Sequence, residues 1–223
     1  MRIACILLLI CCVAACAPSR FVKPLAEGEQ AISAHYGGAV VNQLGTTFPL
    51  PLTSVTYGRG FTDDLTGFAS LHPTAAFFGV VQTELGVTRS ILQPDSNRYF
   101  SPGLSVSPVA NMMLDTWEGN HRLYPQVDLN AYWTFGKHES FAYLGLSQWF
   151  EFTGKRAHEE PQETNWLWSP QAGVNYSREK MQYGLEVKYL TPTHSNQYVV
   201  VDYFKPFGNK GATGVYLTFM RRF

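Results

Sequence analysis

Hydrophobic and polar residues alternate with a period of two along much of this chain, the pattern of a β-strand whose two faces meet different surroundings. From Val127 to Phe135 the odd positions Val127, Leu129, Ala131, Trp133 and Phe135 are apolar or aromatic, and the even positions Asp128, Asn130, Tyr132 and Thr134 are polar. From Met181 to Tyr189, Tyr183, Leu185, Val187 and Tyr189 stand against Gln182, Glu186 and Lys188. Val81, Leu85 and Val87 alternate with Gln82, Glu84 and Thr88, and Trp166, Trp168, Ala172, Val174 and Tyr176 with Ser169, Gln171, Asn175 and Ser177. Extended to the whole chain, this reading predicts ten strands, near 30–39, 51–60, 65–72, 77–90, 102–113, 124–135, 139–151, 165–177, 181–190 and 212–223.

The connections sort by length. Thr62-Asp63-Asp64, Gly136-Lys137-His138 and Ser177-Arg178-Glu179-Lys180 are tight and rich in turn formers, whereas 40–50, 114–123, 152–164 and 191–211 read as long loops. An all-β antiparallel up-and-down transmembrane barrel of about ten strands, within a range of 8 to 12, accounts for this order, with short turns at one end and long loops at the other. Val199-Val200-Val201 looks like a further strand, but Tyr198 to Phe204 is assigned to the last loop because an eleventh crossing breaks the even count. A soluble sandwich with its polar face outward explains each strand equally well taken singly. Aromatic residues near the strand ends on the apolar face, among them Trp133, Phe135, Trp168, Tyr183 and Phe219, favour interfacial girdles and hence the membrane.

The N-terminus points to the same compartment. Met1-Arg2 precedes an apolar run from Ile3 to Val13 that is too short to span a bilayer as a helix, so residues 1–15 read as a secretory signal peptide. Val13-Ala14-Ala15-Cys16 resembles the bacterial lipobox, which implies cleavage before Cys16 and its lipidation. Residues 16–29 then form a lipid-anchored linker and 30–223 the barrel domain. The other cysteines, at 5, 11 and 12, leave with the leader, so the mature chain has no disulfide and no cysteine cluster for a metal. With Arg2 gone, 16 basic residues face 17 acidic ones, and no basic stripe offers itself to nucleic acid.

The chain ends Val215-Tyr216-Leu217-Thr218-Phe219-Met220-Arg221-Arg222-Phe223, which resembles the C-terminal insertion signal of outer-membrane proteins through Phe219 and Phe223. That resemblance implies the barrel-insertion machinery and outer-membrane lipid as partners, besides an unidentified protein partner. Phe21-Val22-Lys23-Pro24-Leu25, Pro49-Leu50-Pro51-Leu52-Thr53-Ser54, Gly60-Phe61-Thr62-Asp63 and Gly208-Asn209-Lys210-Gly211-Ala212-Thr213-Gly214 are similar to a family of Bacteroidetes lipoproteins, which implies compartment and fold but no activity. Ala17-Pro18-Ser19-Arg20 lacks the acidic residues typical of that phylum's surface lipoproteins, so the anchor is expected to face the periplasm, with both termini there.

No phosphate-binding loop, nucleophile elbow or metal-binding His-Glu-x-x-His helix is present, and no cofactor is expected. The best catalytic constellation is His194-Ser195 in the last loop, with His72, Asp115, Glu118 and His121 expected at the same end; such a set could act on lipid esters. Glu84, Asp128, Asn130, Glu186 and Lys188 are expected to face the lumen. In a barrel this narrow, opposite charges at mid-depth fit a structural or partner-binding barrel better than a narrow pore. A lipid-modifying enzyme and a soluble, lipid-tethered periplasmic β-domain remain the other readings.

Overall fold

The computed structural model describes residues 18–43, 45–95, 100–154, 161–162, 164–195 and 201–223. The strands are β1 (Gln30–Gln43), β2 (Thr46–Pro49), β3 (Thr53–Thr62), β4 (Leu65–Leu71), β5 (Val80–Leu92), β6 (Gly103–Asp115), β7 (His121–Phe135), β8 (Ser140–Phe150), β9 (Trp166–Arg178), β10 (Met181–Ser195) and β11 (Lys210–Arg222), with one short helix, α1 (Pro73–Phe77). Each barrel strand pairs antiparallel with its neighbours, and β11 returns to β1, so among the described residues ten strands close a ring. The seam runs from Ala31 opposite Arg222 to Ala39 opposite Gly214, and reciprocal backbone bonds between Gln30 and Phe223, at 3.0 and 2.9 Å, extend it to the last residue. The C-terminal Phe223 thus closes the barrel with its backbone, while Phe219 points outward against Tyr183 at a ring distance of 6.0 Å.

Closure gives the alternation its direction. The polar positions, from Ser33 and Thr56 through Gln82, Ser107, Gln126, Ser147, Gln171 and Gln182, are buried inside. Large apolar side chains stand exposed on every barrel strand: Ile32, Tyr57, Leu71, Leu85, Met112, Leu129, Leu144, Val174, Leu185 and Leu217. This is the reverse of a soluble sandwich, whose apolar face would be the hidden one. The tight turns after β3, β7 and β9, the longer connection between β5 and β6 and the C-terminus share one end, called here the turn mouth; the remaining connections share the other, the loop mouth.

Three expectations are corrected in detail, and one loop assignment gains a contact. The strand expected from residue 77 starts at Val80, because Pro73 begins α1 and Gly79, at φ +79°, turns the chain into β5. The region 40–50 is partly strand, since β1 continues to Gln43 and pairs with β2 as a hairpin outside the ring. His194 and Ser195 are not loop residues but the last two of β10, where Ser195 pairs with Lys210. In the segment assigned to the last loop, Val199 and Val200 lie outside the described residues. Tyr203 makes an isolated bridge to Val41, flanked by Asn42 N to Asp202 O and Phe204 N to Val40 O at 2.8 Å, and the described residues of the segment add no crossing strand.

Candidate functional site: the occupied lumen

Residues 18–25, within the expected N-terminal linker of 16–29, run inside the barrel. At the turn mouth the thread is held by Glu27 N on Asp63 Oδ1 at 3.0 Å and Gly28 N on Gly60 O at 3.0 Å. Lys23 pairs with Glu139 in the turn between β7 and β8, and that hydrogen bond and charge hold the exposed Glu139 carboxyl below the usual range. Further in, Leu25 N donates to Thr66 Oγ1 at 2.7 Å, Ser105 Oγ donates to Val22 O at 2.6 Å and Thr88 Oγ1 to Phe21 O at 2.9 Å. Pro18, the first described residue, lies by His35, Leu52, Thr53 and Ala75 at the loop mouth.

The side chains explain why this segment leaves water. Phe21 and Leu25 pack with Phe68, Val109 and Met220, and Val22 with Tyr132, Phe141 and Tyr143, all on inward faces. The wall makes room with glycine. An added Cβ at Gly58 would collide with the Phe21 ring, at Gly103 with Tyr132, and at Gly173 with Tyr143. Gly58→Val is therefore expected to overpack the seat of Phe21 and cost about 1–3 kcal/mol in denaturant unfolding. An unchanged midpoint would mean that Phe21 does not sit there.

Polar contacts hold the inner end. Arg20 meets Glu84 with two parallel bonds, Nε to Oε2 and Nη2 to Oε1, both 2.6 Å, the bidentate geometry that suits a guanidinium and a carboxylate. Its Nη1 donates to Pro18 O at 2.8 Å, and His72 Nε2 lies 2.9 Å from Glu84 Oε1. The backbone N of Ser19 reaches Glu186 at 3.1 and 3.2 Å. Glu186 also accepts from Tyr143 Oη at 2.5 Å and sits 3.5 Å from Lys188 Nζ. In the closed ring β5 and β10 stand half-way round from each other, so the adjacent residues Ser19 and Arg20 join opposite walls.

All five residues expected to face the lumen are buried there: Glu84, Asp128, Asn130, Glu186 and Lys188. Glu186 and Lys188 pair as neighbours on β10, and both act electrostatically on Asp128. Asp128 accepts from Gln126 at 2.8 Å, and Asn130 from Gln171 at 2.7 Å. The partner of Glu84, however, is not a wall residue. A hint of it lies in the charges, because three inward carboxylates face a single wall ammonium and a second cation has to come from elsewhere. Beside the thread a cavity of about 490 Å³ reaches from Glu186 to Glu139 and Arg222 at the turn mouth.

The catalytic constellation does not assemble. His72 turns down onto Glu84 and Arg20. Asp115 Oδ1 accepts from Trp117 N and Glu118 N at 2.8 and 3.4 Å, Glu118 binds Asn120, and His121 opens β7 exposed. The buried His194 lies 3.5 Å from Gln162 Nε2.

No family model matches the chain, and no curated protein matches it. Among solved structures, Ail, the attachment invasion locus protein of Yersinia pestis, here in complex with the heparin analogue sucrose octasulfate, aligns at 13% identity over 88% of this chain and 99% of its own, with a TM-score of 0.30. The outer membrane protein OprG from Pseudomonas aeruginosa aligns at 10% identity over 91% and 99%, also with a TM-score of 0.30. Superposition at this level transfers neither role nor site, and the closed barrel stands on the chain's own strand pairing.

Proposed function

We propose that this chain is an outer-membrane β-barrel lipoprotein closed by its own N-terminal thread, with a structural or partner-binding role rather than solute conduction. The observation that carries this reading is the bridge of Ser19 and Arg20 between opposite walls at Glu186 and Glu84. Membrane residence is supported by the inverted wall, since a soluble protein rarely exposes apolar surface continuously around its circumference. The ring strands, of ten or more residues in all but β4, are long enough to cross a bilayer at a tilt.

The thread also bears on the lipid anchor implied at Cys16, which lies outside the described residues. From Ala26 to Pro18 the chain can cover about 27 Å, close to a full apolar band, whereas Pro18 to Cys16 spans about 7 Å at most. With the thread seated, a lipid on Cys16 therefore stays within reach of the loop mouth, and the anchor expected on the turn side would require Arg20 to leave Glu84. Mass spectrometry of Cys16, joined with label access from outside intact cells to a tag inserted between Cys16 and Pro18, checks this arrangement.

In planar bilayers the intact protein is expected to show no discrete conductance, and a variant lacking residues 17–25 to show reproducible steps. Robust conductance of the intact protein would overturn the closed-lumen reading. On gels, the folded band should change mobility on boiling, and a soluble, heat-insensitive chain would remove the membrane reading itself.

A further inference from the structure

The outward face of the barrel is mainly apolar, and its arginines gather at one level. Arg59 on β3, Arg89 on β5, Arg178 on β9 and Arg221 on β11 all occupy outward, exposed positions close to the turn mouth. Among the described residues no outward strand position at the loop end carries Lys or Arg. The four fall into two pairs, each flanking one strand. Leu65 of β4 is opposite Arg89 and Gly67 opposite Arg59, while Met181 of β10 is opposite both Arg178 and Arg221. Two strand spacings put Arg178 and Arg221 about 10 Å apart, and the further two-residue offset along β4 puts Arg59 and Arg89 about 12 Å apart at the backbone, a gap that two long side chains can close on one headgroup.

The pairs differ in what lies above them. Over Arg178 and Arg221, Tyr183 and Phe219 meet edge to face and fill the wall. Over Arg59 and Arg89 the outward residues of β4 and β6 include the small Ala69 and Ala110, with Leu85 and Val87 of β5 between them, the Phe61 ring lying on Gly67, and Tyr57 and Val127 at the sides. This leaves an apolar groove of about 880 Å³ running up the outer wall, with Arg59 at its lower edge. Arg89 lies 3.6 Å from Asp64, while Arg59 has no ion-pair partner among the described residues.

We infer that this face is a binding site for one anionic glycerophospholipid, its phosphate between Arg59 and Arg89 and its acyl chains in the groove over Ala69 and Ala110, against Phe61 and Leu85. A guanidinium matches phosphate oxygens with paired donors, and a groove floored by small residues matches a flexible chain. The other arginine pair has the charge without the groove and meets headgroups only in passing. The inference rests on the membrane-spanning reading, and it places the turn mouth at a phospholipid leaflet.

Native mass spectrometry of the detergent-purified full chain, titrated with phosphatidylglycerol and with phosphatidylcholine, tests it. One phosphatidylglycerol should be retained in preference to phosphatidylcholine. The double variant Arg59→Gln with Arg89→Gln should weaken that binding about tenfold, as expected for two basic groups at a membrane surface. Arg178→Gln with Arg221→Gln should leave it nearly unchanged, and Ala110→Trp should weaken it by filling the groove. Equal losses from both arginine pairs, equal retention of the two lipids, or disulfide-linked dimers through a cysteine placed at Ala69 in native membranes would each overturn the site. Mobility on gels with and without boiling is read on the same samples. A heat-modifiable barrel without lipid preference defeats this inference alone, whereas a wild-type chain that is not heat-modifiable defeats the membrane reading beneath it.

Discussion

Replacing Arg20 by alanine is expected to lower stability by about 3–5 kcal/mol, because it leaves a buried carboxylate without its cation. Both members of the pair are almost fully enclosed, with side-chain exposures of 4% for Arg20 and 2% for Glu84, so solvent screens little of the loss. His72 remains near Glu84 but makes one contact where Arg20 made two. The same variant should release the thread, because Ser19 N on Glu186 is then the main polar contact near its inner end. Urea unfolding of the folded band in lipid vesicles reads the first effect, and conductance in planar bilayers the second. Adding Glu84→Gln should recover most of the stability, since an amide needs no counter-ion, but not the closed lumen. A loss below about 1 kcal/mol for Arg20→Ala would place the pair with weak surface bridges and would remove it as the latch of the thread.

The second large effect is expected at Lys188. Its ammonium is buried beside Glu186 at 3.5 Å, acts on Asp128, and lies 6.0 Å from the centre of the Tyr216 ring. Lys188→Met keeps the stem and removes the charge, leaving two carboxylates in one enclosed space at a cost of similar size, about 3–5 kcal/mol. Asp128→Asn in the same background should restore more than half of the loss. The cycle built from the wild type, the two single variants and the double isolates the coupling between these residues, since each substitution retains shape. Additive losses would show that Lys188 serves Glu186 alone.

The walls of this barrel were largely legible, and the legible parts share a cause. Asp128 and Glu186 were recognisable as members of the polar face because each sits among alternating neighbours on its own strand, and a period of two needs only local sequence. The turns at Asp63-Asp64, Gly136 and Glu179 were visible for the same reason. The hairpin of β1 and β2 was not, because Gly38, Ala39, Val40 and Val41 do not alternate. Gly38 and Ala39 end the seam with β11 and Val40 and Val41 continue past it into the hairpin, where Ala39 and Val41 pack with Leu190 and Tyr203 instead of separating lipid from lumen. The catalytic set was misleading in a comparable way. Sequence order could place His72 at the loop end but not show it turning onto Glu84, which is twelve residues away in the chain and on the next strand.

The thread escaped notice for a stronger reason. Phe21-Val22-Lys23-Pro24-Leu25 is too short and too irregular to carry a period, and its partners lie far off in sequence: Arg20 meets Glu84 across 64 residues and Ser19 meets Glu186 across 167. Only the excess of carboxylates over ammonium groups on the inward face pointed to a missing cation. By itself, then, the sequence determined that there are two-faced strands, where they turn, and which residues share a face, because each of these follows from backbone geometry over a few residues. It could not determine which face is the inside, since a period of two reads the same when inside and outside are exchanged. Closure of β11 onto β1 decided that, by enclosing the polar face and leaving the apolar one outside. The closed ring also decided that the lumen is filled, because only when β5 and β10 stand opposite each other can two adjacent residues of the thread span the space between them.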